Sequence, residues 1–450
     1  MWWETKLQRT LRCRNEQRPG VLGGLLTAIG SVGGWVGEIQ IVRAGARTIT
    51  RDITIFADDL EHLDTILKAV THTPGVEILE VRDDVLDMHR GGKIAVRSRY
   101  PVETFADLRR VYTPGVAEVS RRIHEHPEEA RLYTAIPHLV AIVTDGSAVL
   151  GLGDIGPLAA MPVMEGKATL IETLVGLSAM PILLDTEDVD EIVETVAHIA
   201  PTFAAIQLED ISAPRCFEIE SRLIDRLDMP VMHDDQHGTA VVVTAALMNA
   251  VRRTDRSLED VTIGQIGLGA AGLSIARMLM ALTGRPVLGA DISEDARARL
   301  RASGGEPATL EEIMQRADIV VSTTGVPGLI KPEMVQPGQI ILALSNPDPE
   351  IEPEVAMEAG AAFATDGKAV NNLLGFPGIL RGAVDANVPR ITDEMYLAAA
   401  RTIAEMAGPD RLVPDPLDRR LHQRVADAVV RTALEQDLAR ADLEGYFDYE

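Results

Sequence analysis

Over the first 85 residues, runs that alternate apolar and polar side chains trade places with stretches whose apolar residues recur every three or four positions. The alternating runs, at 10–14, 36–42, 48–56 and 76–81, predict strands, and the helical spacing at 21–29 and 60–71 predicts two helices. The order is βαββαβ, with Pro19-Gly20 at the entry to the first helix, a turn within the glycine-containing tract 30–37, and a charged linker over 82–93. From 139 to 251 the pattern changes. Short apolar runs at 139–143, 181–184, 203–208 and 230–233 lie between longer periodic segments such as 157–180, which predicts a parallel sheet with crossover helices. A further β-α-β pattern begins near 261 and leads to a helical carboxyl-terminal segment over 392–441. We therefore expect an α/β chain of three domains, over residues 1–88, 89–250 and 251–450.

A chain of 450 residues with 46% hydrophobic side chains can bury more than one core, as this division requires. The net charge of -25 argues against binding to nucleic-acid backbones or anionic membranes. Cys13 and Cys216 are far apart and form no CxxC pair, so neither a disulfide framework nor a zinc ribbon is expected. The start, Met1-Trp2-Trp3-Glu4, lacks a signal-peptide pattern, and the most apolar stretch, 240–251, is too short to span a bilayer. A soluble cytoplasmic protein is expected.

Acidic residues at strand ends carry the first chemical signal. Glu209 and Asp210 follow the strand 203–208, and Asp234 and Asp235 follow the next one. In an open parallel sheet such positions open into the ligand crevice, and neighbouring strand ends lie only ~5 Å apart. A single aspartate there would read as a helix cap. Two pairs at matching positions favour a cation, and oxygen donors select a hard one, Mg²⁺ or Mn²⁺.

The mostly apolar segment 157–180 carries Lys167, and a lysine shielded from water beside a cation is suited to accept a proton. Alone, it reads equally well as a lysine reaching solvent or paired with a nearby glutamate. The glycine-rich loop before it, Thr144-Asp145-Gly146-Ser147 and Gly151-Leu152-Gly153-Asp154, lacks the lysine of a nucleotide-hydrolysing loop. Tyr112 stands at a Pro-Gly turn before a helix over 116–124, where a phenol could donate a proton, although a packed aromatic is the commoner reading.

The dinucleotide signal is more specific. Strand 261–266 runs into Gly267-Leu268-Gly269-Ala270-Ala271-Gly272 and a helix to about 282; strand 286–290 then delivers Asp291, placed to accept from a ribose 2′-hydroxyl and repel a 2′-phosphate. NAD is favoured over NADP. Strand 340–344 ends in Ser345-Asn346-Pro347, which places an amide at another strand end.

Taken in order, Tyr112-Thr113-Pro114-Gly115-Val116, Thr144-Asp145-Gly146, Gly166-Lys167, Leu208-Glu209-Asp210 and His233-Asp234-Asp235-Gln236-His237-Gly238-Thr239-Ala240 resemble the short bacterial malic enzymes. The resemblance continues through the glycine fingerprint, Asn346, Asn371-Asn372 and Phe376-Pro377-Gly378. It implies a metal-dependent oxidative decarboxylation of L-malate to pyruvate with NAD: Lys167 as general base, Tyr112 as general acid, and Glu209, Asp210 and Asp235 as metal ligands. It also implies Asp234 as a supporting residue, with Asn346 and Asn372 against substrate carboxylate and cofactor amide. Two departures stand out. Ala148 occupies the position of the substrate-clamping arginine of the longer, eukaryotic-type enzymes, and the stretch 366–370 is shorter than the usual bacterial loop. Residues 1–88, with Arg18-Pro19-Gly20-Val21-Leu22, resemble an ACT domain, which has a ferredoxin-like fold. That implies an amino-acid effector bound near residues 15–24 at a contact of a homodimer or higher oligomer, or a module used only for dimerisation. Redox-neutral conversion of malate to lactate with retained NAD, and a sensor without turnover, are the competing functions.

Overall fold

The computed structural model describes residues 6–448 apart from 150, 255 and 410, so Met1-Trp2-Trp3-Glu4 lies outside the described residues. The chain divides into two compact units, Met1–Ala95 and Val96–Glu450.

The first unit is the expected ferredoxin-like βαββαβ: β1 (Leu7–Glu16), α1 (Val21–Ser31), β2 (Trp35–Ala44), β3 (Thr48–Ala57), α2 (Leu60–Thr71) and β4 (Val76–Arg82). The strands form an antiparallel sheet in the order β2-β3-β1-β4. Alternation along β1 and β3 turns Leu11, Cys13, Ile53 and Ile55 onto Leu25 and Ile29 of α1 and Ile66 and Val70 of α2. Helix α2 starts where Asp59 accepts the His62 amide at 2.8 Å, one of the donors that a helix cannot satisfy internally. On the strands, Asp52 accepts a fork from Arg12 and a further bond from Arg82, all at 2.8 Å. Two boundaries differ from the expected ones. The turn is confined to 32–34, and the charged linker holds a helix, α3 (Asp84–His89). Asp83 caps that helix by accepting from the Leu86 amide, a local bond that charge content alone does not signal.

In the second unit, α4 (Phe105–Val111), α5 (Gly115–Glu125) and α6 (Ala130–Tyr133) precede a four-stranded sheet. Its elements are β5 (Leu139–Thr144), α7 (Gly156–Val175), β6 (Ser178–Leu183), α8 (Val189–Ile199), β7 (Ala205–Leu208), α9 (Arg215–Arg226), β8 (Val231–His233) and α10 (Asp234–Arg253). All pairings are parallel, in the order β6-β5-β7-β8. The segment 157–180, expected as one helix-length element, is a helix to Val175 followed by the start of β6. Gly176, at φ 69°, ends the helix in a left-handed conformation. Pro181 is tolerated because β6 is an edge strand.

The second sheet of this unit contains β9 (Ile263–Ile266), β10 (Leu288–Ala290), β11 (Glu306–Pro307), β12 (Ile319–Ser322), β13 (Ile340–Ala343) and β14 (Phe363–Asp366). It is parallel in the order β11-β10-β9-β12-β13-β14, the 3-2-1-4-5-6 arrangement of dinucleotide-binding folds. Helix α11 (Ala270–Thr283) leads from β9 towards β10; α12 (Glu294–Ala302), α13 (Leu310–Arg316) and α14 (Pro353–Glu358) connect later strands. The carboxyl-terminal segment is α15 (Phe376–Asp385), α16 (Asp393–Met406) and α17 (Arg419–Glu435), packed on one another and on α7 and α10. Cys13 and Cys216 are both free and buried, and burial pushes their thiols up to about 11 and about 12 respectively. Among the described residues no helix is long and apolar enough to cross a membrane.

Candidate active site

Strands β7 and β8 are direct parallel neighbours, with Leu208 opposite His233, so the carboxylates that follow them converge. One ligand atom each from Glu209, Asp210 and Asp235 lies within 4.8 Å of the others. The register accounts for this. Glu209 leaves β7 with its amide on the Val143 carbonyl; Asp210 adopts φ 54° and donates its amide to Asp235 Oδ2 at 2.9 Å. Asp234 and Asp235 form the first turn of α10, where the helix dipole favours negative charge.

Lys167 projects from α7 into this corner, with all but 12% of its side chain shielded. Its ammonium forms a short contact with Asp234 and lies 3.0 Å from Glu209 Oε1 and 4.5 Å from the centre of the Phe376 ring. Asn372 Nδ2 donates to Asp234 Oδ2 at 2.7 Å, which draws the amide expected at the substrate into the same network. Burial opposes the ammonium, but the charges of Asp234, Glu209 and Asp235 outweigh it and hold Lys167 above its ordinary range. The expectation of a lysine that readily gives up its proton was for one beside a bound cation, whereas here the uncompensated anions favour the ammonium.

The acids are crowded in turn. Burial, together with repulsion from Asp234, Asp235 and Asp210, keeps Glu209 well above the carboxylate range despite Lys167. Burial and Asp235 push Asp210 up to about 7. Asp210 Oδ2 and Asp234 Oδ1 are buried without a hydrogen-bond partner among the described residues. An all-oxygen set that binds protons this strongly, with oxygens left over, has the chemistry of a hard divalent cation site.

The glycine-rich loop closes over the same strand end. The Ala148 amide donates to the Asp210 carbonyl at 2.9 Å, and Ser147 Oγ accepts from the Ser212 amide at 2.9 Å while donating to Asp145. At Gly146, φ 70°, a Cβ would meet the Gly156 carbonyl at 2.3 Å, so no other residue fits the turn. Asp145 is tied to Arg215 at 3.0 Å. Behind α10, Glu220 accepts the His233 amide at 2.7 Å and lies 3.0 Å from His237 Nε2, whose ring stacks on Tyr396 at 4.5 Å. Sequence reasoning assigned no role to Arg215, Glu220 or Tyr396. Glu220 takes the backbone amide of His233 and the ring of His237, a pairing that no local sequence pattern announces.

The dinucleotide fingerprint sits as expected at the carboxyl end of β9. A Cβ on Gly267 would meet the Thr323 carbonyl at 2.6 Å, and one on Gly272 would meet the Gly267 carbonyl at 2.0 Å, whereas Gly269 faces open space. Asp291 Oδ2 accepts from the Leu268 amide at 2.8 Å, which fixes the carboxylate on the rim of a cavity of about 930 Å³ that Gly267, Gly269, Asp291 and Thr324 help to line. Ala270 and Ala271 open α11, whose free amides point to an anion site. Asn346 is exposed at the end of β13, and Tyr112 is 66% exposed at the end of α4. Neither forms a hydrogen bond to the Lys167 cluster among the described residues.

The malic enzyme N-terminal domain model matches residues 92–224, and the malic enzyme NAD binding domain model matches residues 364–434. Residues 233–327 match the NAD binding domain of D-isomer specific 2-hydroxyacid dehydrogenases. The chain is 53% identical to NAD-dependent malic enzyme 1 of Bacillus subtilis over 95% of its length and 98% of the relative's. It is 42% identical to the NAD-dependent malic enzyme of Geobacillus stearothermophilus, over 96% of each chain. Among solved structures, a malic enzyme from Pyrococcus horikoshii superposes with a TM-score of 0.77 at 37% identity, over 81% of this chain and 93% of that one.

Proposed function

The chain belongs to the malic enzyme family, and we propose that the corner formed by Lys167, Glu209, Asp210, Asp234 and Asp235 is where it acts on its substrate. The reaction is the oxidative decarboxylation of L-malate to pyruvate and CO2 with reduction of NAD and dependence on a divalent metal. The observation that carries the site assignment is the meeting of three carboxylates within 4.8 Å beside a shielded ammonium.

Glu209, Asp210 and Asp235 would hold Mg²⁺ or Mn²⁺, and their ligand atoms lie close enough together to do so. When bound, NAD accepts the hydride from the carbinol carbon and the cation supplies Lewis-acid stabilisation of the charge that develops as CO2 leaves. Lys167 takes the proton of the malate hydroxyl, for which it must first be neutral. Asp234, hydrogen-bonded to the ammonium and held above the carboxylate range by burial, is the neighbour that can receive that proton. Asn372 bonds to Asp234, which holds the acceptor in place. Tyr112 returns a proton to C3 of the enol product. Asp291 would select NAD by accepting from the ribose hydroxyls, and Asn346, exposed just after β13, would meet the substrate carboxylate or the cofactor amide. A cytoplasmic location suits the two free thiols.

Initial rates with malate, Mn²⁺ and either NAD⁺ or NADP⁺ test this reading. We expect NADH to form with the faster rate on NAD⁺. Lactate accumulating without free NADH would instead mark the redox-neutral conversion.

The first unit is proposed as an ACT-like regulatory domain. Asn15, at the end of β1 beside the Arg18-Pro19-Gly20 turn, is buried with neither Nδ2 nor Oδ1 bonded to any described residue. An unpaired buried amide costs about 1–3 kcal/mol, which a zwitterionic ligand bonding to both atoms would recover. Calorimetry with the common amino acids should find one that binds the wild type and not Asn15→Ala. Silence across the whole set would remove the effector.

A further inference from the structure

A buried carboxylate that the proposed chemistry leaves unused lies at the carboxyl end of the dinucleotide sheet. Glu350, just before α14, has no exposed surface. Its Oε1 accepts from the Thr324 amide at 2.7 Å, the Thr324 hydroxyl at 2.9 Å and the Ser345 hydroxyl at 2.6 Å, and its Oε2 accepts from the Ser345 amide at 3.3 Å. The Ser345 hydroxyl accepts in turn from the Gly325 amide at 2.8 Å. One side chain thus clasps the loop that leaves β12 to the loop that leaves β13 and carries Asn346. All of these donors are neutral, and no cation among the described residues forms an ion pair with Glu350. Burial opposes its charge, but the bonds from Ser345 and Thr324 outweigh burial and hold the carboxyl below its ordinary range, so the group is an anion at neutral pH.

The position of this anion gives it a target. In the 3-2-1-4-5-6 arrangement each half of the sheet takes one end of a dinucleotide, and Asp291, after β10, marks the adenosine half. The nicotinamide end is then left to the ends of β12 and β13, which are the two loops that Glu350 joins. Thr324 itself lines the cavity of about 930 Å³. An oxidised nicotinamide ring carries a positive charge and loses it on taking a hydride. A fixed anion with no cation of its own therefore attracts the ring of one form of the cofactor and not that of the other.

We propose that Glu350 is a positioning residue for the nicotinamide half of the site, and that its uncompensated charge biases the site towards NAD⁺ and against NADH. Across ~10 Å at an effective dielectric of ~20, one unit charge changes an equilibrium constant roughly tenfold. A looser hold on NADH suits an enzyme that must release the reduced cofactor in each turnover. The inference rests on the reading that NAD lies along the glycine fingerprint beside Asp291.

The test is a ratio of two dissociation constants measured without malate, for NAD⁺ by calorimetry and for NADH by its own fluorescence. Glu350→Gln keeps the shape and most of the bonds but removes the charge, so Kd for NAD⁺ divided by Kd for NADH should rise about tenfold. Thr324→Val and Glu350→Asp keep the charge and loosen the clasp. Each should weaken both forms by a similar factor and leave the ratio within about twofold of wild type, since the Coulomb term stays. A purely structural clasp would lower both affinities alike in all three variants. An unchanged ratio in Glu350→Gln would therefore overturn the proposal, and so would a large change of the ratio in Thr324→Val, a mild substitution that tests the idea even if Glu350→Gln fails to fold. Asp291→Ala separates the two readings: if it binds both forms as the wild type does, the cofactor lies elsewhere, and the placement falls together with this inference.

Discussion

The two residues proposed as base and acid, Lys167 and Tyr112, could hardly be set more differently. Lys167 is held by a buried corner in which strand register, a helix start and the Asn372 amide all converge on Asp234. Tyr112 ends a short helix whose apolar face meets solvent. The corner is settled within one chain because a parallel sheet brings successive strand ends together whatever else the chain does. Helix α4 has no such constraint, and it contains no buried residue. The group proposed as base thus projects into a buried strand-end corner, and the group proposed as acid stands at an exposed helix end.

This contrast can be broken in several ways. The largest effect should come from the corner. Glu209→Gln removes one cation ligand worth several kcal/mol of charge stabilisation, so kcat/KM with Mn²⁺ should fall ~10³-fold. A loss below tenfold would show that the carboxylates are not the metal site. Tyr112→Phe should lower kcat by ~10²-fold in the initial-rate assay, while the melting temperature hardly changes, because the side chain is 66% exposed. A melting temperature that falls sharply would mean that the Tyr112 side chain is packed within its own chain. Asp234→Asn keeps the shape but weakens the grip on Lys167, and Mn²⁺ affinity measured by calorimetry should drop about 10–100-fold. The mildest test is pH. Asp210, pushed up to about 7, is protonated below that value in the metal-free protein, and the cation must displace the proton. Mn²⁺ affinity should therefore rise by up to about tenfold per pH unit as pH approaches 7, then level off. A flat profile from pH 5 to 8 would place the raised acid elsewhere.

How much of this was legible in the sequence follows the same division. Strand ends, the glycine fingerprint and the order of elements were readable, because two-residue and 3.6-residue periods reflect burial, and burial is what the sheets impose. The neighbouring strands β7 and β8, and the convergence of Glu209 with Asp235, came out as the pattern implied. Two features were not legible. The end of α7 at Val175 was missed because 157–180 is apolar across both a helix and a strand. The ion pairs that Lys167 makes in the metal-free corner were the other, because burial is visible in a sequence while the number of anions within reach depends on Asp234 and Glu209 arriving from separate strands. Arg215 and Glu220, which anchor the loop and the start of α10, carry no local pattern of their own.

The central claim, that the shielded amine of Lys167 is the proton acceptor, is tested most directly by NADH formation in Lys167→Ala with malate, NAD⁺ and Mn²⁺, with and without a small primary amine. The account predicts a rate lowered ~10³-fold, within the 10²–10⁴ range of general bases, and partly restored by the amine, because the truncated side chain leaves room beside Asp234 and Phe376. A Lys167→Ala enzyme that makes NADH at the wild-type rate without added amine would contradict it.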